Sequence, residues 1–115
     1  MNIAVQFDKS DSPPLAGSIL SEIIFHRLGM TQADFARAIG ISRPRLNMIL
    51  KNKLPVSAEI AVRLERVTGI NPQYWMVLRA DFDLHVARQK LHDELEALPV
   101  SRRPIAAPQI QQIAA

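Results

Sequence analysis

The hydrophobic positions fall into five runs with helical spacing, each bounded by residues that start or stop helices. From about Leu15 to Leu28, Leu15, Ile19, Leu20, Ile23, Ile24 and Leu28 recur at threes and fours, and Gly29 can end that helix. Thr31 followed by Asp34 has the form of a capping box, with Asp in place of the usual Glu or Gln. Ala33, Phe35, Ala36 and Ile39 then give a short second helix that Gly40 stops. Ser42 caps a third helix carrying Leu46, Ile49 and Leu50 to about Lys51, with Pro44 in its first turn and Asn52-Lys53-Leu54-Pro55 as the breaking loop. Ser57 caps a fourth, with Ile60, Ala61, Leu64 and Val67 inward and Gly69 at its end. Asn71-Pro72 opens a fifth, whose inward stripe is Trp75, Leu78, Phe82 and Val86. Leu84, Ala87, Leu91, Leu95 and Leu98 continue on a rotated face, a second stripe too apolar to be left in water and hence the expected dimer contact.

The ends lack this periodicity. Residues 1–14 are polar and turn-rich at Asp11-Ser12-Pro13-Pro14, and the alternation of Ile3, Val5 and Phe7 fits a short strand as well as a chain that orders only on binding. After Pro99 come Pro104, Pro108 and a Gln/Ala-rich terminus. The expected organisation is a flexible arm over 1–14, an all-α domain of five compact helices over 15–98, and a disordered tail over 99–115.

With 115 residues, 48% hydrophobic and 22% charged, the chain suits one small folded domain and excludes a wholly disordered or collagen-like one. No stretch approaches the roughly 18 apolar residues of a membrane span, and Met1 to Asp8 lacks the basic start of a signal peptide, so a cytoplasmic location is expected. The absence of cysteine removes disulfides, thiolate metal clusters and cysteine nucleophiles. Charge is uneven along the chain. Residues 1–25 carry one Lys against three carboxylates, residues 26–66 carry eight Lys or Arg against three, and residues 67–115 carry five of each sign. A basic middle beneath an acidic start suits a polyanion on one face and a cationic partner on another, although an excess of five also arises on ordinary solvated faces.

Catalytic and metal chemistry find little support. Asp81, His85 and His92 lie on one helix at spacings of four and seven, yet there is no His-Glu-x-x-His and too few ligands for a structural zinc site. Asp93, Glu94 and Glu96 point in different directions on a helix and read as solubilising. No phosphate-binding glycine loop or serine elbow occurs, so neither an enzyme nor a cofactor is expected. Trp75 and Phe82 read as core rather than as platforms for single-stranded bases.

The second and third helices together carry the functional signal. Ala36 sits where two backbones pass closely, Gly40 opens a tight turn, and Ile39, Ile41, Leu46 and Ile49 plug the angle between the helices. This spacing is that of a helix-turn-helix of the Cro and phage-repressor type, as against a plain helical hairpin. In that arrangement the first turn of helix three enters the major groove, so Arg43, Pro44, Asn47 and Met48 are the expected base contacts. Arg43 and Asn47, four apart, share one face, whereas Arg45 lies about 200° from Asn47 and falls nearer the backbone. Gln32, Ser42, Arg45, Lys51, Asn52 and Lys53 are the expected phosphate contacts, which position the protein without specifying sequence.

Beyond this unit, Ala61-Val62-Arg63-Leu64 through Gly69, Asn71-Pro72-Gln73-Tyr74-Trp75, and Leu78 with Phe82-Asp83-Leu84 resemble the HigA-type antitoxins over about residues 14–87. An ordinary phage repressor has no need of the Pro72-to-Trp75 and Phe82-Asp83-Leu84 elements. Departures from the family pattern are Met48 in place of an acidic residue, Asn52-Lys53-Leu54 in place of Gly-Lys-Arg, Arg79-Ala80 in place of a Gln-containing pair, and Phe82 in place of Tyr. The resemblance implies a homodimeric repressor of its own operon that binds double-stranded operator DNA. It also implies a partner toxin, a small basic ribosome-dependent mRNA endonuclease that the protein neutralises. The acidic start then offers Asp8, Asp11 and Glu22 as toxin contacts. Two other classes fit the same residues: a solitary prophage-type regulator with no toxin, and an interaction module that kept the fold without DNA binding.

Overall fold

The three-dimensional structure, a computed structural model, describes residues 12–109. Among them there are helices and no strand. Helix α1 (Ala16–Glu22) runs directly into a π-helical segment (Ile23–Arg27); α2 (Gln32–Ile39), α3 (Arg43–Leu50), α4 (Ala58–Thr68), α5 (Pro72–Lys90) and the short α6 (His92–Glu96) come after it.

Local side chains start four of these helices. Thr31 Oγ1 accepts the Asp34 amide at 3.1 Å, Ser42 Oγ that of Arg45 at 3.2 Å, Ser57 Oγ that of Ile60 at 3.3 Å, and Asn71 Oδ1 that of Gln73 at 2.9 Å. Each contact satisfies one amide that the first turn leaves without a partner. Only half of the expected capping box forms. The Asp34 carboxylate, one methylene shorter than Glu, turns to Arg37 at 3.4 Å instead of reaching back to Thr31.

One core joins the first five helices. Leu20, Ile24, Phe35, Leu46, Ile60, Leu64, Trp75 and Leu78 are almost completely buried, with α1 against α3, α2 against α3 and α4, and α4 against α5. Trp75 belongs to this core, as its spacing predicts, and meets Tyr74 edge to face at 5.2 Å.

Three expectations about inward positions need correction. Leu28 is 40% exposed, because the preceding turn is π: the Leu28 amide reaches the Ile23 carbonyl five residues back at 2.9 Å. The extra residue in that turn rotates the next part of the chain away from the core. Val86 is 44% exposed and Phe82 only half-buried, because α5 runs past the edge of the core after Leu78. The fifth helix also stops short of Leu98. Leu91, with φ −98° and ψ 8°, leaves helical geometry and separates α6 from α5. Leu84, Leu91, Leu95 and Leu98 accordingly face solvent. Residues 99–109 are exposed and form neither helix nor strand. At the other end, Asp8, Asp11 and the alternation at Ile3, Val5 and Phe7 lie outside the described residues, and Pro13 is buried where the described chain begins.

Candidate nucleic-acid interface

The turn between α2 and α3 is built by Gly40 and held from α4. Gly40 adopts the left-handed conformation at φ 74°, which lets its own amide reach the Arg37 carbonyl (3.3 Å) and the Ile41 amide the Ala36 carbonyl (3.1 Å). The Arg63 guanidinium arrives from α4 and donates from Nη1 to the carbonyls of Ile39 (3.0 Å) and Gly40 (3.3 Å), while its Nη2 lies 3.4 Å from Glu59. A cation thus meets the negative end of α2 and fixes the angle at which the chain enters α3. Ala36, Ile39, Leu46 and Ile49 are buried in that angle, and Ile41 is half-buried.

The exit of α3 is held from the opposite side. Asn52 takes a left-handed conformation, φ 60°, at the position where glycine commonly ends a helix, and the Lys53 amide closes back onto the Met48 carbonyl at 2.8 Å. Unlike glycine, Asn52 has a side chain to use: Oδ1 accepts the Gly17 amide at 2.9 Å, and Nδ2 donates to Ser18 Oγ at 3.3 Å. Helix α1 has Leu15 at its N-cap and no side-chain cap of its own, so Asn52 caps it from the loop after α3. Gly17 is required by contact, since a Cβ there would lie 2.9 Å from the Leu50 carbonyl and still closer to that of Ile49.

Between these two fastenings α3 turns Leu46 and Ile49 inward and leaves Arg43, Pro44, Arg45 and Met48 exposed. Pro44 and Met48 stand about 160° and 200° around the axis from Leu46, and the half-buried Asn47 shares a flank with Arg43. Among the described residues, none of Arg43, Arg45, Lys51 and Lys53 is paired with a carboxylate. Arg37, Arg63 and Arg79, by contrast, have Asp34, Glu59 and Asp83 within 3.5 Å. The cations of α3 and its following loop are therefore not neutralised within the described residues, a state they share with Arg27, Arg66, Arg88, Lys90, Arg102 and Arg103. Ser42 uses one of its two oxygen lone pairs on the Arg45 amide and retains its hydroxyl proton as a donor. Gln32, at the start of α2, is half-buried, with Nε2 enclosed and without a partner among the described residues. Glu22 is exposed at the end of α1.

Outside this face, His85 Nε2 lies 3.5 Å from Ser12 Oγ, and His92 pairs with Glu96 at 3.4 Å. Two roles escape sequence reasoning: the hold of Arg63 on the turn and the inward use of Asn52. For the second, Gly17 inside a predicted helix was the available signal, since an interior glycine costs about 1 kcal/mol against alanine and needs a packing reason.

Comparison with known proteins agrees with this geometry. A family model described as helix-turn-helix matches residues 27–75. The antitoxin GraA is 34% identical and superposes with a TM-score of 0.70, over 79% of this chain and 99% of that one; the same antitoxin in complex with its operator gives 32% and 0.69 over 88% and 100%. The Pseudomonas aeruginosa antitoxin HigA, solved with the higBA promoter, is 27% identical with a TM-score of 0.69 over 79% and 99%. The uncharacterized HTH-type transcriptional regulator YddM of Escherichia coli K12 is 30% identical over 81 residues, 70% of this chain and 85% of that one. With the turn, the unpaired cations of α3 and these likenesses together, the chain belongs to the Cro-type helix-turn-helix family of DNA-binding regulators, in the group of the HigA- and GraA-type antitoxins.

Proposed function

We propose that this protein is a cytoplasmic antitoxin that neutralises a small basic ribosome-dependent mRNA endonuclease and represses its own operon as a dimer. The observation that carries the DNA half is the unpaired cationic face of α3 in a chain so similar to operator-bound antitoxins. On this reading Arg43, Pro44, Asn47 and Met48 meet base edges, and Gln32, Ser42, Arg45, Lys51 and Lys53 meet phosphates. Gln32 Nε2 gains the acceptor it lacks once the amide turns outward to a phosphate oxygen. Asn52 serves the backbone contact mainly by shaping the loop that presents Lys51 and Lys53, because its amide is already engaged.

The solvent-facing stripe of Leu84, Leu91, Leu95 and Leu98 supports a homodimer closed through α5 and α6. Asp8, Asp11 and Glu22 are the toxin contacts, on the complementarity of an acidic start and a basic partner. The domain of residues 15–98 thus works between a partner-binding arm over 1–14 and a tail over 99–115.

A second reading, a solitary transcriptional regulator, is favoured by the likeness to the E. coli regulator. Growth of a host expressing the neighbouring reading frame alone, and then together with this protein, separates the two. Arrest relieved by co-expression is the expected result. Absence of arrest, or arrest that persists, leaves the solitary regulator.

A further inference from the structure

We propose that Arg102 and Arg103 form a second DNA contact, an arginine arm lying in the minor groove beside the bases read by α3; the proposal rests on the operator-binding reading above. From Ala97 to Gln109 these two are the only charged residues, and neither has an ion pair or hydrogen bond among the described residues. The whole segment is exposed and free of helix and strand. Pro104 restricts Arg103 to extended backbone, and Pro99 and Pro108 stiffen the flanks toward an extended polyproline form.

That shape suits one groove better than the other. The minor groove, about 6 Å wide, excludes a helix but admits an extended chain, and its negative potential deepens where A·T tracts narrow it, which draws arginine in. An acidic protein surface is the competing partner class. The acidic side chains nearest in sequence, Asp93, Glu94 and Glu96 on α6, leave both guanidiniums unpaired, and Glu96 turns to His92 instead. Those carboxylates also keep α6 itself off a polyanion, so contact begins beyond Leu98. From there to Arg102 and Arg103 an extended chain reaches about 12–17 Å, more than a groove width. Two recognition helices set in major grooves one helical turn apart leave the minor groove between them facing the protein. A dimer closed through α5 and α6, as proposed above, would bring two such tails to one operator.

The test uses the 115-residue chain and its Arg102→Ala/Arg103→Ala variant on promoter DNA from upstream of the reading frame. Dimethyl sulfate footprints, which read guanine N7 in the major groove and adenine N3 in the minor groove, and binding across a salt series are the readouts. The variant is expected to keep major-groove protection, lose minor-groove protection and bind about tenfold more weakly near 150 mM salt. Four lost phosphate-equivalent charges per dimer make its log K against log salt slope shallower by about 3–4. Replacing A·T by I·C between the two half-sites, which preserves the minor-groove edge, is expected to leave wild-type affinity intact, whereas G·C weakens it. Equal slopes and footprints for the two proteins would overturn the arm and leave the operator reading standing. Failure of the wild type to bind at low salt would remove the operator reading itself.

Discussion

Asn52 caps the N-terminus of α1 from 35 residues away, its Oδ1 accepting the Gly17 amide at 2.9 Å while its own backbone turns left-handed to end α3. The two functions separate by substitution. Asn52→Gly keeps the left-handed turn and loses the cap, and is expected to cost about 1 kcal/mol. Asn52→Ala loses both and is expected to cost about 1–2 kcal/mol more. Urea denaturation gives the order, and an alanine variant as stable as the glycine one would show that the left-handed turn is not what the position demands. Gly17→Ala is expected to destabilise by about 1–3 kcal/mol through overpacking on the Ile49 and Leu50 carbonyls, against the roughly 1 kcal/mol that helix propensity gains.

Arg63 holds the recognition unit from α4, through the carbonyls of Ile39 and Gly40. Arg63→Ala removes donors from two carbonyls at the end of α2 and is expected to cost about 1–2 kcal/mol. Operator binding should weaken about tenfold in the same variant, because the entry angle of α3 loses its support. Arg63→Lys restores charge but not the planar fork, so an intermediate value is expected in both thermal melting and mobility-shift titration. A variant with lowered melting and unchanged operator affinity would confine Arg63 to stability.

Base and phosphate contacts should respond differently. Arg43→Ala is expected to cost about 1–3 kcal/mol on the operator and to relax base preference, while Lys51→Ala weakens all sequences about evenly. With about four cations on phosphates per subunit from the helix-turn-helix, log K for the dimer is expected to fall against log salt with a slope near −7 in the Arg102→Ala/Arg103→Ala variant and near −11 with the arginine arm in place. A slope near −2 would be incompatible with two bound subunits, and an even loss for Arg43→Ala would move that residue to the phosphate class.

The stripe on α5 and α6 predicts the oligomeric state. Leu84→Asp with Leu91→Asp places charges on a face where Leu84 is already 49% and Leu91 36% exposed, so the monomer should keep its helicity. Sedimentation is expected to change from dimer to monomer, with operator affinity reduced at least about tenfold. An unchanged sedimentation coefficient would send the seam elsewhere.

Much of this architecture is legible in the sequence, because it rests on short-range signals. Thr31, Ser42, Ser57 and Asn71 announce helix starts through contacts two or three residues long, and Gly40 announces the turn by being the residue that tolerates its φ. Hidden features depend on neighbours distant in sequence or on where the core ends. The threes and fours of Ile19, Ile23, Ile24 and Leu28 fit an α-helix as well as one carrying a π-turn. Val86 continues a perfect inward spacing past the last helix able to cover it. Leu91 breaks the helix with no glycine or proline beside it. At the candidate site the outward residues of α3 follow from periodicity alone. The engagement of Asn52 does not, because Gly17 and Ser18 stand beside it only in the folded chain.

The fastening of α3 at both ends bears on how repression would be lifted in a cell. Its entry depends on Arg63 and its exit on Asn52 and Gly17, so the surface proposed to read the operator exists only while the chain from α1 to α4 stands intact. A protease that cuts anywhere in that stretch would abolish operator occupancy outright, leaving no partly active fragment to linger on the promoter. Silencing would then end molecule by molecule, at the rate at which whole domains open to attack.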